Sequence, residues 1–289
     1  MWVGTLRGLN RYDRRSGRFV TFRSSTADPA SLSSDGIQRV IDDPTAPEHF
    51  LLVGTRDNGM NRFHKKTGRC QRLIHDARDP ASVGSSRVYC FHVQRGGLVW
   101  LGTSSGLDSF DPSTQRFQHF RAEDNRLSHN NVIAIGGDPT GDPAILWVGT
   151  WGGGLNRVDV RNGTFRSFSR ENGFPTNMVA GILTDRRGVF WISSPNGIIQ
   201  FQPATGLIHS YDVRVGELSN AFSGGASFQS EAGEIFLGGV RGVTRFDPLR
   251  IRTNPIRPPI VLTAYKVFDR EVAPVTSLTG WTEIELPHW

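Results

Sequence analysis

Apolar and polar residues alternate along this chain in short stretches separated by glycine-rich turns. The stretch LWVGTWGGGLNRVD at residues 146–159 reads as a strand, a glycine turn and a second strand. The apolar stretch NVIAIGG precedes it at 131–137, and the alternating segment NGTFRSF follows it at 162–168. Strict alternation over a short segment is the pattern of a half-buried strand. The unit therefore predicts four short strands.

The same unit recurs along the whole chain. Its strand–turn–strand element begins at Met1, Leu51, Val99, Leu146, Phe190 and Ile235. Equivalent positions lie 44 to 50 residues apart, a period that no single hairpin explains. Four antiparallel strands in each period of about 40 to 50 residues are typical of a propeller blade. The sequence thus predicts an all-β fold, a β-propeller of four-stranded antiparallel blades, with six blades.

The tryptophan and glycine of the repeat, Trp147 and Gly149 in the fourth copy, are predicted to serve packing rather than chemistry. The bulky residues would fill the space between adjacent blades. The glycine would allow close approach near the crowded propeller axis.

Ring closure leaves two alternatives open. The first unit lacks an innermost strand, because the chain begins inside the repeat. The C-terminal segment 259–265 could complete that sheet and give a closed six-bladed ring, because an exposed edge strand invites pairing with another chain. The alternative is six of seven blades in an incomplete ring.

The repeat N-x-V…D-x-x-G-x-L-W-V-G-T-x-x-G-G-L-x-R-x-D…F is matched nearly throughout by residues 131–168. It resembles the two-component regulator propeller repeats, found in the extracytoplasmic sensor portions of hybrid two-component sensor kinases and related membrane-bound signalling proteins. The fifth copy departs from that pattern, with Ile192-Ser193-Ser194 in place of the Gly-Thr pair. The resemblance implies a propeller over 1–255. It also implies a C-terminal extension over 256–289, which is similar to the first part of an immunoglobulin-like module.

The resemblance further implies a ligand-sensing domain of a bacterial signal-transduction receptor with a periplasmic location, although this chain carries no signal peptide. Membrane contact would come only through segments that this chain lacks, and a homodimer is among the assemblies left open. No kinase, phosphoacceptor or nucleotide-cyclising motif occurs in these residues.

Composition supports the all-β prediction and limits the classes of binding partner that are expected. The chain has 33 glycines and 16 prolines with 37% hydrophobic residues, which suits a turn-rich protein. The net charge of +6 comes from 33 Lys and Arg scattered among 27 acidic residues. Because there is no basic run, a mildly basic surface is favoured over nucleic-acid binding.

Cysteines and histidines give no sign of a reactive centre. Cys70 falls on an outer strand and Cys90 on an innermost strand, so two free thiols are predicted. The eight histidines fall singly, without the i, i+4 spacing of a helical metal site. No metal, no cofactor and no enzymatic activity are predicted.

Ligand specificity is expected where variable turns meet on the rigid scaffold. The predicted ligand-binding residues, all in turns between second and third strands, are Arg56, Asp57, Asn58, Trp151, Asn196 and Arg241. An aromatic platform with amide, carboxylate and guanidinium groups suits a small polar ligand, either an oligosaccharide or a small carboxylated molecule. The alternatives are a lyase-type propeller enzyme that uses His129 and Glu217, and a protein-interaction scaffold.

Overall fold

The computed structural model describes residues 1–124, 126–211 and 221–251, together with the backbone of 265–267 and 270–272. Residues 1–248 form one compact unit and residues 249–289 another. Within the described part of the chain, the regular structure is strand except for one short 3-10 helix at Arg170–Asn172. The all-β prediction is confirmed.

The strands of the first unit follow the predicted repeat. In chain order they are β1 Trp2–Thr5, β2 Gly8–Asp13, β3 Arg18–Phe22, β4 Ile37–Asp42, β5 Phe50–Thr55, β6 Met60–His64, β7 Cys70–Leu73, β8 Val88–Val93, β9 Val99–Thr103, β10 Gly106–Asp111, β11 Arg116–Phe120, β12 Val132–Gly137, β13 Ile145–Thr150, β14 Leu155–Asp159, β15 Thr164–Phe168, β16 Gly181–Thr184, β17 Phe190–Ser194, β18 Gly197–Gln202, β19 Leu207–Tyr211, β20 Phe222–Gln229, β21 Ile235–Gly239 and β22 Gly242–Phe246. In the second unit, β23 Tyr265–Val267 pairs with β24 Arg270–Val272.

Strands β1 to β22 form the six blades of a propeller. Four sheets have four antiparallel strands each, in the order β4 to β7, β8 to β11, β12 to β15 and β16 to β19. Within the described residues, the first sheet shows β1 to β3, with no innermost strand, and the last sheet shows β20 to β22. The predicted closing segment 259–265 lies outside the described residues except for Tyr265 in β23, so its role stays a prediction.

Apolar residues from facing sheets fill the spaces between blades. The Trp147 ring lies 5.1 Å from the Phe190 ring and 5.7 Å from the Phe201 ring, both in the next blade. Its indole N–H donates to Asp138 Oδ1 at 3.3 Å, and Trp191 donates in the same way to Asp185 Oδ2 at 3.1 Å. The turn between the first two strands thus orients each buried indole. The repeated tryptophan serves packing, as predicted.

The repeated glycine makes room for the next blade. A Cβ on Gly54 would lie 3.0 Å from Val88 Cγ1, and one on Gly102 would lie 2.5 Å from the Val132 carbonyl oxygen. Both contacts come from the innermost strand of the following blade, so the predicted close approach is confirmed. In the fifth blade Ser193 occupies the position of this glycine. The glycine of that blade, Gly181, lies opposite Ser193 on the innermost strand and leaves room for its side chain.

Candidate functional site

One face of the propeller, here called the hairpin face, carries the turns between second and third strands and the connections between blades. The turns of blades two and four are bonded to the connections that precede them. The Arg56 N–H donates to the Gly36 carbonyl at 2.9 Å, and the Trp151 N–H donates to the Asn131 carbonyl at 2.8 Å. These backbone bonds hold the predicted ligand-binding turns in fixed positions.

Buried polar side chains anchor the connections of this face. Asn61, Asp108 and Asn156 occupy equivalent positions in third strands, and all are at most 1% exposed. Their side-chain oxygens accept N–H groups of the preceding connections, at 2.9 Å from Ser33, 2.8 Å from Gly84 and 3.0 Å from Ser128. These anchors are not among the residues predicted from the sequence, although a polar residue recurs inside an apolar strand at each of them.

The hairpin face holds a cavity of about 800 Å³ at the first three blades. It is lined by Leu6, Ser24, Ser33, Ser34, Asp35, Gly36, Arg56, Asp57, Asn58 and Arg87. We call it the rim pocket. Its lining contains two arginines, two aspartates and several hydroxyl or amide groups, so it presents donors and acceptors together.

Some polar groups of the rim pocket form hydrogen bonds within the protein, whereas others are available to bind a ligand. The Asn58 side-chain amide donates to the Ser33 carbonyl at 2.8 Å, and Asp35 Oδ1 accepts the Ser24 N–H at 2.6 Å. Arg87 Nε donates to the Arg56 carbonyl at 2.8 Å. The Arg56 guanidinium and the Asp57 carboxylate are exposed and bond to no other described residue. These two side chains are therefore free to meet a ligand.

The predicted ligand-binding residues do not all meet in the rim pocket. Arg56, Asp57 and Asn58 line it, whereas the other three stand on the corresponding turns of blades four, five and six: Trp151, Asn196 and Arg241. All three are exposed, and the Trp151 side chain is 55% accessible. Their part in binding stays a prediction.

Of the two residues named for a lyase-type enzyme, the structure describes His129. Its Nδ1 accepts the Asn131 N–H at 3.0 Å, and its ring lies where a side chain on Gly152 would stand. No carboxylate is bonded to this imidazole within the described ranges. Glu217 lies outside the described residues.

A buried ion cluster in the third blade holds one connection of the hairpin face. The Asp108 carboxylate accepts His119 Nδ1 at 2.8 Å and Arg121 Nη1 at 3.2 Å. The hydrogen bond that His119 donates to Asp108 raises the pKa of His119 above its ordinary value of 6.5, although partial burial opposes the shift. Asp108 therefore serves structure rather than chemistry.

The cysteines are both free thiols, as predicted. Burial raises the pKa of Cys70 and of Cys90 to about 12, so the reactive thiolate is scarce at neutral pH. A search of the described residues shows no group of three or more metal-ligating side chains. The helices described include none with the length and apolar character needed to span a membrane.

Comparison with known proteins places this chain beside bacterial signalling receptors. No protein-family model matches it. It is 26% identical over 286 residues to histidine kinase P4 of Formosa agariphila, covering 94% of this chain and 20% of the kinase. The chain thus spans about a fifth of that relative's length.

Two solved structures from B. thetaiotaomicron share the fold. The extracellular domain of a hybrid two-component system matches with a TM-score of 0.71 and 20% identity, covering 86% of this chain and 32% of that one. The extracellular domain of a one-component system matches with a TM-score of 0.62 and 17% identity, covering 92% and 43%. Virginiamycin B lyase from Staphylococcus aureus shares the fold more distantly, with a TM-score of 0.52 and 12% identity, covering 73% and 70%.

Proposed function

We propose that this chain is the periplasmic ligand-sensing propeller of a membrane-bound signal-transduction receptor, and that it binds a small polar ligand on the hairpin face. The matches to a histidine kinase and to extracellular receptor domains support the sensor role. The rim pocket supports ligand binding, because its volume of about 800 Å³ falls within the range of small-molecule sites.

The observation that carries the proposal is the pair of free charged side chains in the rim pocket. Arg56 offers a planar fork of donors that suits hydroxyl or carboxylate oxygens. Asp57 offers acceptors for the hydroxyl groups of a sugar. An oligosaccharide or a small hydroxy acid would engage both, and we propose an oligosaccharide as the first candidate.

Signal output would follow from this binding. We propose that the ligand changes how two copies of the receptor pair, and that the message passes to an output domain through segments this chain does not contain. A ligand shifts such an equilibrium only by its differential affinity for the two states. The proposed homodimer should therefore be tested by measuring the oligomeric state with ligand present and absent.

Thermal unfolding in the presence of neutral oligosaccharides and small carboxylates tests the proposal. A ligand at one hundred times its Kd adds about 2.7 kcal/mol to the free energy of unfolding. Calorimetric titration of the best ligand into Arg56→Gln and Asp57→Asn should then show weakened binding. Arg14→Gln, an exposed arginine in the β2–β3 turn of the opposite face, is the matched control.

Two results would contradict the proposal. One is the absence of any stabilisation by either class of ligand. The other is equal loss of affinity in Arg14→Gln and Arg56→Gln, which would show that general positive charge rather than the rim pocket attracts the ligand.

A further inference from the structure

A second cavity lies between blades four and five on the face opposite the hairpin face. Its volume is about 620 Å³. One wall comes from the β12–β13 turn and strands β13, β14 and β15, and the other comes from the turns β16–β17 and β18–β19. We call it the arginine cleft, because Arg157, Arg166, Arg186 and Arg187 all line it.

Two of these arginines stand directly opposite each other on adjacent strands. Arg157 of β14 pairs in register with Arg166 of β15, and on its other side with Trp147 of β13. Residues paired in this way lie on one face of the sheet, where like charges repel and destabilise the pair. The strand register therefore places two like charges side by side within a blade that is otherwise well packed.

Two of the three equivalent arginines in other blades have carboxylate partners, and the third, Arg11 of the first blade, lies over the Trp2 ring. Arg62 in the second blade lies 2.6 Å from Asp43, and Arg245 in the sixth blade lies 2.6 Å from Glu234. In the fourth blade, Asp138 occupies the position of Asp43 but accepts the Trp147 indole N–H and the Thr140 hydroxyl. Arg157 has no hydrogen bond or ion pair with any described residue.

The other charged residues that line the arginine cleft provide no carboxylate partner for Arg157 or Arg166. The Arg166 guanidinium lies 4.9 Å from the centre of the Phe168 ring and has no acidic partner among the described residues. Arg186 donates to the Glu231 backbone carbonyl at 3.1 Å, whereas Arg187 is paired with Asp185 at 2.7 Å. The second aspartate of the lining, Asp142, is paired with Arg161, which does not line the cleft.

We propose that the arginine cleft is a binding site for a small organic oxyanion, a carboxylate or a sulfate ester, held between Arg157 and Arg166. Guanidinium groups bind such anions through paired N–H donors. A concave site of one charge sign also concentrates ligands of the opposite sign. The anion would replace the carboxylate that blades two and six supply from their own sheets. This site is on the other face from the rim pocket and does not depend on it.

The unliganded protein gives the first test. Arg157→Gln removes the like-charge contact, so its melting temperature in a low-salt chloride buffer should exceed that of the wild type. Arg62→Gln is the matched control at the equivalent position and should lower the melting temperature, because it leaves Asp43 without its partner. A lower melting temperature in Arg157→Gln as well would overturn the proposal.

Binding gives the second test, by calorimetric titration with glucuronate, methyl sulfate and neutral glucose. We expect the wild type to bind glucuronate or methyl sulfate but not glucose, and the preferred anion distinguishes a carboxylate site from a sulfate site. Arg166→Gln, an exposed substitution that leaves the core untouched, should weaken binding by at least about tenfold. Arg14→Gln should bind as the wild type does. No binding of either anion, or equal binding by Arg166→Gln, would overturn the proposal.

Discussion

The interior blades and the terminal blades carry the same repeat but bury it to different extents. The second strands of blades two to five are almost wholly buried, whereas in the first blade β1 is half-buried to exposed. Apolar residues of the last blade are also accessible, with Phe228 62% exposed and Val243 65% exposed. The same residue types are therefore core in one blade and surface in another.

The glycines show how the last blade differs from the interior blades. A side chain on Gly54 or Gly102 would meet the innermost strand of the following blade. For a side chain on Gly238, in the last blade, the three nearest atoms all belong to Ala226 of its own sheet. A blade of this propeller thus gains much of its burial from its neighbour, as in other repeat proteins.

Replacing a buried tryptophan should produce the largest difference in stability between an interior blade and the last blade. Trp147→Ala should lower the free energy of unfolding by about 3 to 5 kcal/mol, because it empties a large space between blades four and five. Phe228→Ala in the last blade should cost less than about 1 kcal/mol, because its ring is already accessible to water. Urea unfolding measures both values. Equal losses would show that the last blade is covered in solution.

Replacing the repeated glycine with alanine should give a smaller difference in stability between an interior blade and the last blade. Gly149→Ala places a Cβ against Val179 of the following blade, and overpacking of this kind costs about 1 to 3 kcal/mol. Gly238→Ala should cost less, because the atoms nearest to its new Cβ belong to Ala226, an exposed residue of strand β20. The two variants can be compared by thermal unfolding, and a greater loss at Gly238 would contradict the assigned role of the glycine.

The buried ion cluster of the third blade should make stability depend on pH. Because the folded pKa of His119 is raised, its contribution is fully present below the ordinary value of 6.5 and is lost as pH rises through the folded pKa. The difference in melting temperature between the wild type and His119→Gln should therefore be largest below pH 6.5 and shrink as the pH rises above that value. A constant difference would indicate that the imidazole contributes as a neutral group.

The smallest effect on stability is expected at the hairpin face. Trp151→Ala should change the free energy of unfolding by less than about 0.5 kcal/mol, because the side chain is 55% exposed. If Trp151 forms part of the binding surface, the same substitution should weaken ligand binding in a calorimetric titration. Global unfolding of Trp151→Ala would instead place this ring in the core between blades.

The repeat made the fold readable from the sequence. Alternation located the strands, and the recurrence of Trp-Val-Gly-Thr fixed the number of blades, because each copy must form the same sheet. The site was only partly readable. Adjacent residues such as Arg56 and Asp57 necessarily share a turn, but the approach of Arg87 and Asp35 to that turn depends on how neighbouring blades meet.

The sequence by itself determined the order of strands and the packing role of the repeated tryptophan, because both follow from local periodicity. Only the tertiary structure decided which charged side chains have partners. Arg62 and Arg157 occupy the same place in the repeat, yet one meets a carboxylate and the other meets a second arginine. The physical reason is that charge pairing depends on side chains from turns and strands distant in sequence, whereas alternation depends only on which face of a sheet is buried.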